Sequence, residues 1–312
     1  MSKKIWRGGM IGAGAWSEVQ LTAWAGVENA EIVALADRHP ERRDPVVQRF
    51  DISRAFDDFE TMLDEAQLDF VDISVRPYSH APLTRLAAER GLPVLCQKPF
   101  CQSLEEAREV VEFCDQASVR LMINENWRWQ AWYREIKGLL ESGVIGQVTT
   151  MTFSRHEAHA LCTPPFPNQP YFVDMERFLL IESVIHLIDV TRFLGGEIRE
   201  IFCDTRRVSG VTQGEDNVFL HLCLEDAVRG IIYSTRCSEP DVEDPICDCA
   251  RIEGKNGFIR LDQDGTITVK PLFKPTFKHD YEIPKVGYRG DSVRVALQHF
   301  VDCLLTGEPF ET

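Results

Sequence analysis

Lys98 is the residue whose surroundings most suggest chemistry. It follows the apolar run Pro93-Val94-Leu95-Cys96 through Gln97 and is itself followed by Pro99. The run has the make-up of a buried parallel strand, and the proline keeps the lysine out of a following helix. Lys98 therefore falls at the carboxyl end of a strand, where open α/β sheets bind their ligands. A lysine partly withdrawn from water at such a place can have its pKa lowered enough to serve as a base. A Lys-Pro pair alone also suits a solvated loop. A second group comes from the helix-period segment 177–194, in which Glu182, His186 and Asp189 share a face among Ile181, Val184, Ile185, Leu187 and Ile188. A carboxylate and an imidazole in apolar company cost free energy unless paired or used. The spacing thus predicts either an intrahelix structural pair or groups put to functional use.

The amino-terminal region offers a place for a cofactor. Residues 5–11 read as a strand that runs into Gly12-Ala13-Gly14-Ala15-Trp16-Ser17 and a helical stretch to about residue 27. Gly12 permits the tight turn, Gly14 lets the backbone approach a pyrophosphate, and the small Ser17 stands where a third glycine would allow close packing. A second strand, 31–36, ends in Asp37, whose carboxylate can accept from both ribose hydroxyls of an adenosine and disfavours a 2′-phosphate. The pattern points to NAD. Arg38, Arg42 and Arg43 leave NADP open. The candidate cofactor contacts are Gly12, Gly14, Ala15, Trp16, Asp37, Arg38, Ser74, His80, Gln97, Lys98 and Asn126.

Further strands at 69–75, 93–96 and 120–124 alternate with helical segments at 80–90 and 104–117, the order of a doubly wound parallel sheet. Ser79 and Ser103 are the predicted N-caps, with Glu106 completing a capping box at the second. Residues 1–124 are expected to form the Rossmann domain. After a linking helix at 132–142 the pattern becomes alternating segments at 148–155, 198–208, 217–224, 228–237, 251–253, 258–261 and 266–270. Residues 125–312 are therefore expected to form an α+β domain on a large, mostly antiparallel open sheet, through which the chain would form a homodimer or homotetramer. At the junction lies Glu125-Asn126-Trp127-Arg128-Trp129, whose indoles and fixed donors suit a polyhydroxylated ring, although tryptophans 127, 129 and 132 also have core spacing.

The chain has 312 residues with a formal net charge of -15, which argues against a nucleic-acid or anionic-membrane partner. The amino terminus has no signal-peptide pattern and no run is apolar enough to span a bilayer, so a cytoplasmic setting is expected. Ten cysteines then read as reduced thiols. Cys247 and Cys249 lack the spacing of a zinc site, and no metal is expected.

Together these motifs resemble the glucose-fructose oxidoreductase/inositol dehydrogenase (Gfo/Idh/MocA) family over nearly the whole chain. Gln97-Lys98-Pro99 stands in that family's Glu-Lys-Pro motif, Gly143-Val144-Ile145-Gly146 resembles its Gly-x-Ile-Gly linker, and Glu182 to Asp189 resembles its Asp-x-x-x-His-x-x-Asp helix. Within the family, Cys96-Gln97-Lys98-Pro99, the segment Glu125 to Trp132, and Asn168-Gln169-Pro170-Tyr171 are similar to the D-apiose dehydrogenase subgroup. Three departures stand out: Glu176-Arg177-Phe178 replaces glycines, Val75-Arg76 replaces Thr-Pro, and Glu182 is longer than the usual Asp. The family pattern also implies one more helix after Thr312.

The resemblance implies hydride transfer from a sugar or polyol hydroxyl to the nicotinamide, with a lactone as product if the hydroxyl is anomeric. Lys98, His186 and Glu182 are the expected catalytic residues. In one assignment Lys98 holds the hydroxyl and His186 takes the proton; in the other Lys98 is the base. Asn126, Arg128, Gln169 and Tyr171 are expected to join them around the substrate, with Trp127 or Tyr171 as a stacking wall. Oxidation of another polyol and a catalytically silent NAD sensor are the competing readings.

Overall fold

Aliphatic runs ending in glycine, aspartate or lysine build the sheet of the first of two units. The computed structural model describes residues 4–167 and 169–312. It divides into Met1–Asn126 with Asp291–Thr312, and Trp127–Gly290. In the first unit β1 (Trp6–Ile11), β2 (Ala30–Ala36), β3 (Arg54–Phe56), β4 (Phe70–Ile73), β5 (Val94–Gln97) and β6 (Leu121–Asn124) form a parallel sheet in the order β3-β2-β1-β4-β5-β6. The order reverses between β1 and β4, and ligands of such sheets bind beside that point at the strands' carboxyl ends. Five helices connect the strands: α1 (Ala15–Trp24), α2 (Pro40–Arg49), α3 (Phe59–Glu65), α4 (His80–Glu89) and α5 (Leu104–Gln116). Every residue of β4 and β5 is buried, as strands covered on both faces require.

The predicted cap of α5 is present. Glu106 N–H donates to Ser103 Oγ at 3.1 Å, while Glu106 Oε2 accepts from Gln102 N–H, one residue before the cap. The cap predicted at Ser79 is not formed. Pro77–Ser79 make a 3-10 turn that runs straight into α4, so Ser79 has helical dihedrals and its hydroxyl caps nothing.

The second unit begins with α6 (Ala131–Glu141) and β7 (Val148–His156). A π-helical turn, Leu180–Val184, precedes α7 (Ile185–Gly195). The strands β8 (Ile198–Arg206), β9 (Asn217–Leu224), β10 (Arg229–Thr235), β11 (Cys249–Gly254), β12 (Gly257–Leu261), β13 (Ile267–Pro271) and β14 (Phe277–Lys278) complete an eight-stranded sheet in the order β14-β13-β12-β11-β7-β10-β9-β8. All its pairs are antiparallel except β7 with β10. Tyr133, Phe153, Phe178, Leu187 and Ile232 lie in its core. Ile201, Phe202 and Phe219, on β8 and β9, are exposed.

The helix α8 (Ser292–Thr306) belongs to the first unit, whereas the sequence suggests residues 125–312 as one domain. The reason is its apolar face: Val293, Ala296, Leu297, Phe300 and Val301 are all buried, and Phe300 meets Phe70 of β4 edge-on at 5.5 Å. Among the described residues, no helix is long and apolar enough to cross a membrane.

Candidate active site

In the first unit the cofactor loop follows β1. Gly12 has φ +107°, and a Cβ there would stand 2.2 Å from Ser74 O, so both backbone and space demand glycine. Ser17 is fully buried, with its hydroxyl 3.3 Å from that of Ser74, which confirms the close packing expected of a small residue. Gly14 is the N-cap of α1; a Cβ on it would meet nothing within 4 Å, and no side chain caps the helix. The start of α1, with exposed Gly14 and Ala15 and half-buried Trp16, thus leaves room for a phosphate against its first N–H groups. Asp37 Oδ2 accepts from Ala13 N–H and Oδ1 from His39 N–H, each at 2.9 Å. Each oxygen retains acceptor capacity for a ribose hydroxyl. These groups fit a dinucleotide. Arg38 and Arg42 are exposed beside them, whereas Arg43 is paired with Asp44 and Asp57.

Lys98 is half-buried immediately after β5, at the carboxyl edge of the sheet, where the sequence places it. Its peptide N–H donates to Gln97 Oε1 at 3.0 Å. The two residues after it are held by His80. The sequence brings His80 towards the nicotinamide, but the structure buries it completely. Its Nδ1 lies 3.0 Å from Pro99 O and 3.2 Å from Phe100 O, and its Nε2 lies 3.1 Å from Val75 O. His80 therefore clasps the loops after β4 and β5 together. Burial lowers its pKa, while the carbonyl acceptors around it favour the protonated ring. Asn126, a candidate for both cofactor and sugar, is buried and donates to Ser292 Oγ at 2.7 Å, which ties the end of the first segment to the start of α8.

The second unit carries His186 and its neighbours. Ile185 N–H donates to Leu180 O, five residues back, in the π turn. Glu182 lies inside that turn and His186 in the first turn of α7, so the regular i, i+4 face read from the sequence spans a change of helix type. Insertions of this kind are frequent at functional sites. His186 is 4% exposed and stacks on Trp127 with ring centroids 4.0 Å apart and planes 10° apart. Trp127, expected as a wall for a sugar ring, is the floor under the imidazole. Trp129 and Trp132 are core residues. Arg128, expected on substrate, reaches back to α7, where its Nε donates to Asp189 Oδ2 at 2.8 Å and its Nη2 to Oδ1. The pair explains the acidic Asp189 in an apolar helix. Tyr171 is half-exposed, Gln169 is exposed, and Gln169 Nε2 lies 3.4 Å from the Tyr171 hydroxyl. Asn168 lies outside the described residues.

A charged cluster that the sequence reading missed surrounds Trp127. Arg155 and Arg289 lie over its ring at 5.2 and 5.0 Å, and its Nε1 donates to Asp248 Oδ2 at 3.0 Å. Arg155 Nη2 donates to Glu157 Oε1 at 2.8 Å, Arg236 pairs with Glu157, and Arg236 Nη2 donates to Ser183 Oγ beside Glu182. Arg155 and Arg236 are more than nine-tenths buried. Burial and its two arginine neighbours lower the Arg236 pKa well below its ordinary value.

Comparison with known proteins fixes the class. Residues 6–125 match the Gfo/Idh/MocA oxidoreductase family, NAD-binding Rossmann fold, and residues 133–260 match the family's carboxyl-terminal domain. The chain belongs to the Gfo/Idh/MocA oxidoreductase family, and its first unit is an NAD-binding Rossmann domain. It is 34% identical over 260 residues to D-apiose dehydrogenase of Rhizobium rhizogenes, covering 82% of this chain and 73% of that protein. It is 36% identical over 261 residues to D-apiose dehydrogenase of Paraburkholderia graminis, covering 84% and 68% respectively. A crystal structure of an oxidoreductase from Agrobacterium radiobacter, in complex with NAD+, L-tartaric acid and magnesium, superposes with a TM-score of 0.93 at 30% identity, covering 99% of this chain and 91% of that one.

Proposed function

We propose that the protein is an NAD-dependent dehydrogenase of a sugar hydroxyl, and that D-apiose, oxidised to its lactone, is the substrate to test first. The observation that carries the reading is the likeness to two D-apiose dehydrogenases at 34% and 36% identity, spanning both units. Bound NAD supplies the hydride acceptor. The first turn of α1 receives its phosphates and Asp37 the adenosine ribose. Lys98 and His186 act on the same substrate hydroxyl: Lys98 donates a hydrogen bond to the oxygen and His186 takes the proton as the hydride leaves carbon. The Trp127 face beneath His186 holds the ring plane and accommodates the positive charge that develops there. Glu182 orients the imidazole or binds a neighbouring hydroxyl, and Tyr171 and Gln169 offer half-exposed and exposed groups for the rest of the sugar.

The exposed Ile201, Phe202 and Phe219 support self-association of the chain through the second unit's sheet. Ten free thiols suit a cytoplasmic setting. The test is NADH formation by the purified protein with NAD and a panel of aldoses and polyols that includes D-apiose. Preference for D-apiose is the expected result. Preference for another polyol keeps the class and removes the sugar, while silence on the whole panel with NAD bound overturns the dehydrogenase reading.

A further inference from the structure

The first unit contains a chain of buried polar groups that ends on Lys98. Asp72 is wholly buried in β4, between β1 and β5. Gln20 Nε2 donates to its two oxygens at 2.9 and 2.8 Å, and Trp24 Nε1 donates to Oδ2 at 2.8 Å. Gln20 Oε1 accepts from Gln97 Nε2 at 3.4 Å, and Gln97 Oε1 accepts the peptide N–H of Lys98 at 3.0 Å. Gln20 and Gln97 are 0% and 5% exposed.

The direction of this chain is set at its far end. An ionised carboxylate only accepts, so it turns the NH2 of Gln20 towards itself and the Gln20 oxygen towards Gln97. That oxygen in turn draws the NH2 of Gln97, which leaves the Gln97 oxygen for Lys98. With a neutral donor in place of the carboxylate, either glutamine amide is able to reverse. Two N–H groups would then face each other at Lys98, at the cost of an unpaired buried donor. A buried carboxylate on β4 and two buried amides, one on α1 and one on β5, are costly, and the sheet's own hydrogen bonds do not need them.

We propose that Asp72 is a positioning residue for Lys98: through Gln20 and Gln97 its carboxylate keeps an acceptor on the lysine's peptide and so fixes the backbone from which the side chain reaches out. This rests on the role given to Lys98 above. The groups that face Asp72 are Gln20 and Trp24 of α1 and, as a titratable neighbour on β5, the Cys96 thiol, which burial holds well above its ordinary range. Burial also raises the Asp72 carboxyl to about 7, against the opposing donors of Trp24 and Gln20. The relay therefore changes state around neutral pH.

The experiment uses the full chain without NAD and follows modification of Lys98 by pyridoxal phosphate, trapped by borohydride and located by mass spectrometry, in Asp72→Asn, Gln20→Met and Gln97→Met. Each variant is expected to change the Lys98 labelling rate by about threefold or more and to lower kcat by about tenfold, with NAD affinity nearly unchanged in Asp72→Asn and Gln20→Met, which lie outside the candidate cofactor contacts. The wild-type labelling rate is expected to carry a pH step near neutrality that Asp72→Asn lacks. Labelling rates, pH profiles and kcat equal to wild type in the variants that fold, as judged by circular dichroism, would overturn the proposal. The Gln97→Met change, at the end of the chain nearest the loop, keeps the test alive if the deeper variants do not fold. A wild type silent on every sugar removes the dehydrogenase reading, and the labelling result still decides the relay.

Discussion

The two units hold their chemistry in different ways. The first places Lys98, Asp37 and the start of α1 with backbone geometry and directional hydrogen bonds: strand ends, a positive-φ glycine, and the Asp72–Gln20–Gln97 chain. The second sets His186 on an indole ringed by arginines and carboxylates, where charge balance more than direction holds the parts. A directional network fails when one polarity is reversed. A charge cluster fails when one charge is removed, because its buried partner is left uncompensated.

The largest expected effect tests whether both units serve one reaction. Lys98→Ala and His186→Ala should each lower kcat by about 10³-fold, as loss of a group that handles the proton does. NAD affinity should hold in both, as read by tryptophan fluorescence quenching. A variant of either residue that keeps wild-type turnover would confine the chemistry to the other unit.

Next comes the pH dependence of the first unit's network. The Asp72 carboxyl is raised by burial from 3.8 to about 7, so the folded chain holds this proton more tightly than the unfolded one between those values. The contribution is fully present below about pH 4 and is lost as the pH rises through about 7, amounting to at most about 4 kcal/mol. Urea unfolding from pH 4 to 8 should show wild type losing stability relative to Asp72→Asn across that window. Parallel curves would mean that the carboxyl is not shifted, and the contrast between the units would weaken.

In the second unit the matching perturbation is Arg236→Met. It removes one partner of the half-buried Glu157 while Arg155 and Arg289 remain, and should cost about 3 kcal/mol in urea unfolding. The double variant Arg236→Met/Glu157→Leu should recover part of that loss. Additive losses would show that the two charges do not compensate each other.

The same difference decides what could be read from the sequence. Gly12, Gly14, Asp37 and Lys98 follow from local pattern, because a strand followed by a glycine turn or a Lys-Pro states its own geometry. His80 was legible as a candidate residue after β4 but not in its direction, since the carbonyls that claim it come from loops about 25 residues apart. The arginine cluster was not legible at all. Arg155 and Arg236 meet because β7 and β10 are the one parallel pair in their sheet, placing Ser234 opposite Arg155, and alternation along either strand says nothing about its neighbour. The apolar face of α8 has clear helical spacing at Val293, Ala296, Leu297, Phe300 and Val301, yet no local signal tells which unit it covers. The π turn escaped for a related reason: Glu182 and His186 keep helical spacing in sequence whichever hydrogen bonds the backbone adopts.

The smallest effect separates the two glycines of the cofactor loop, where direction and space act independently. Gly12 sits at φ +107° with Ser74 O in the position a Cβ would need, so Gly12→Ala must move β1 or β4 and should lower stability by about 2 kcal/mol along with NAD binding. Gly14 has ordinary extended dihedrals, φ -80° and ψ 177°, and open space in front of it. An alanine there strains nothing and trims the freedom of the unfolded chain, so the stability of Gly14→Ala should change by no more than about 0.5 kcal/mol. Its methyl would nonetheless point into the space left for the pyrophosphate and should raise the NAD Kd by about tenfold, roughly 1.4 kcal/mol. Calorimetric titration with NAD beside a thermal melt reads both quantities. If Gly14→Ala bound NAD as tightly as wild type, the open face of α1 would not be where the phosphates rest, and Asp37 would have to anchor the cofactor from the ribose alone.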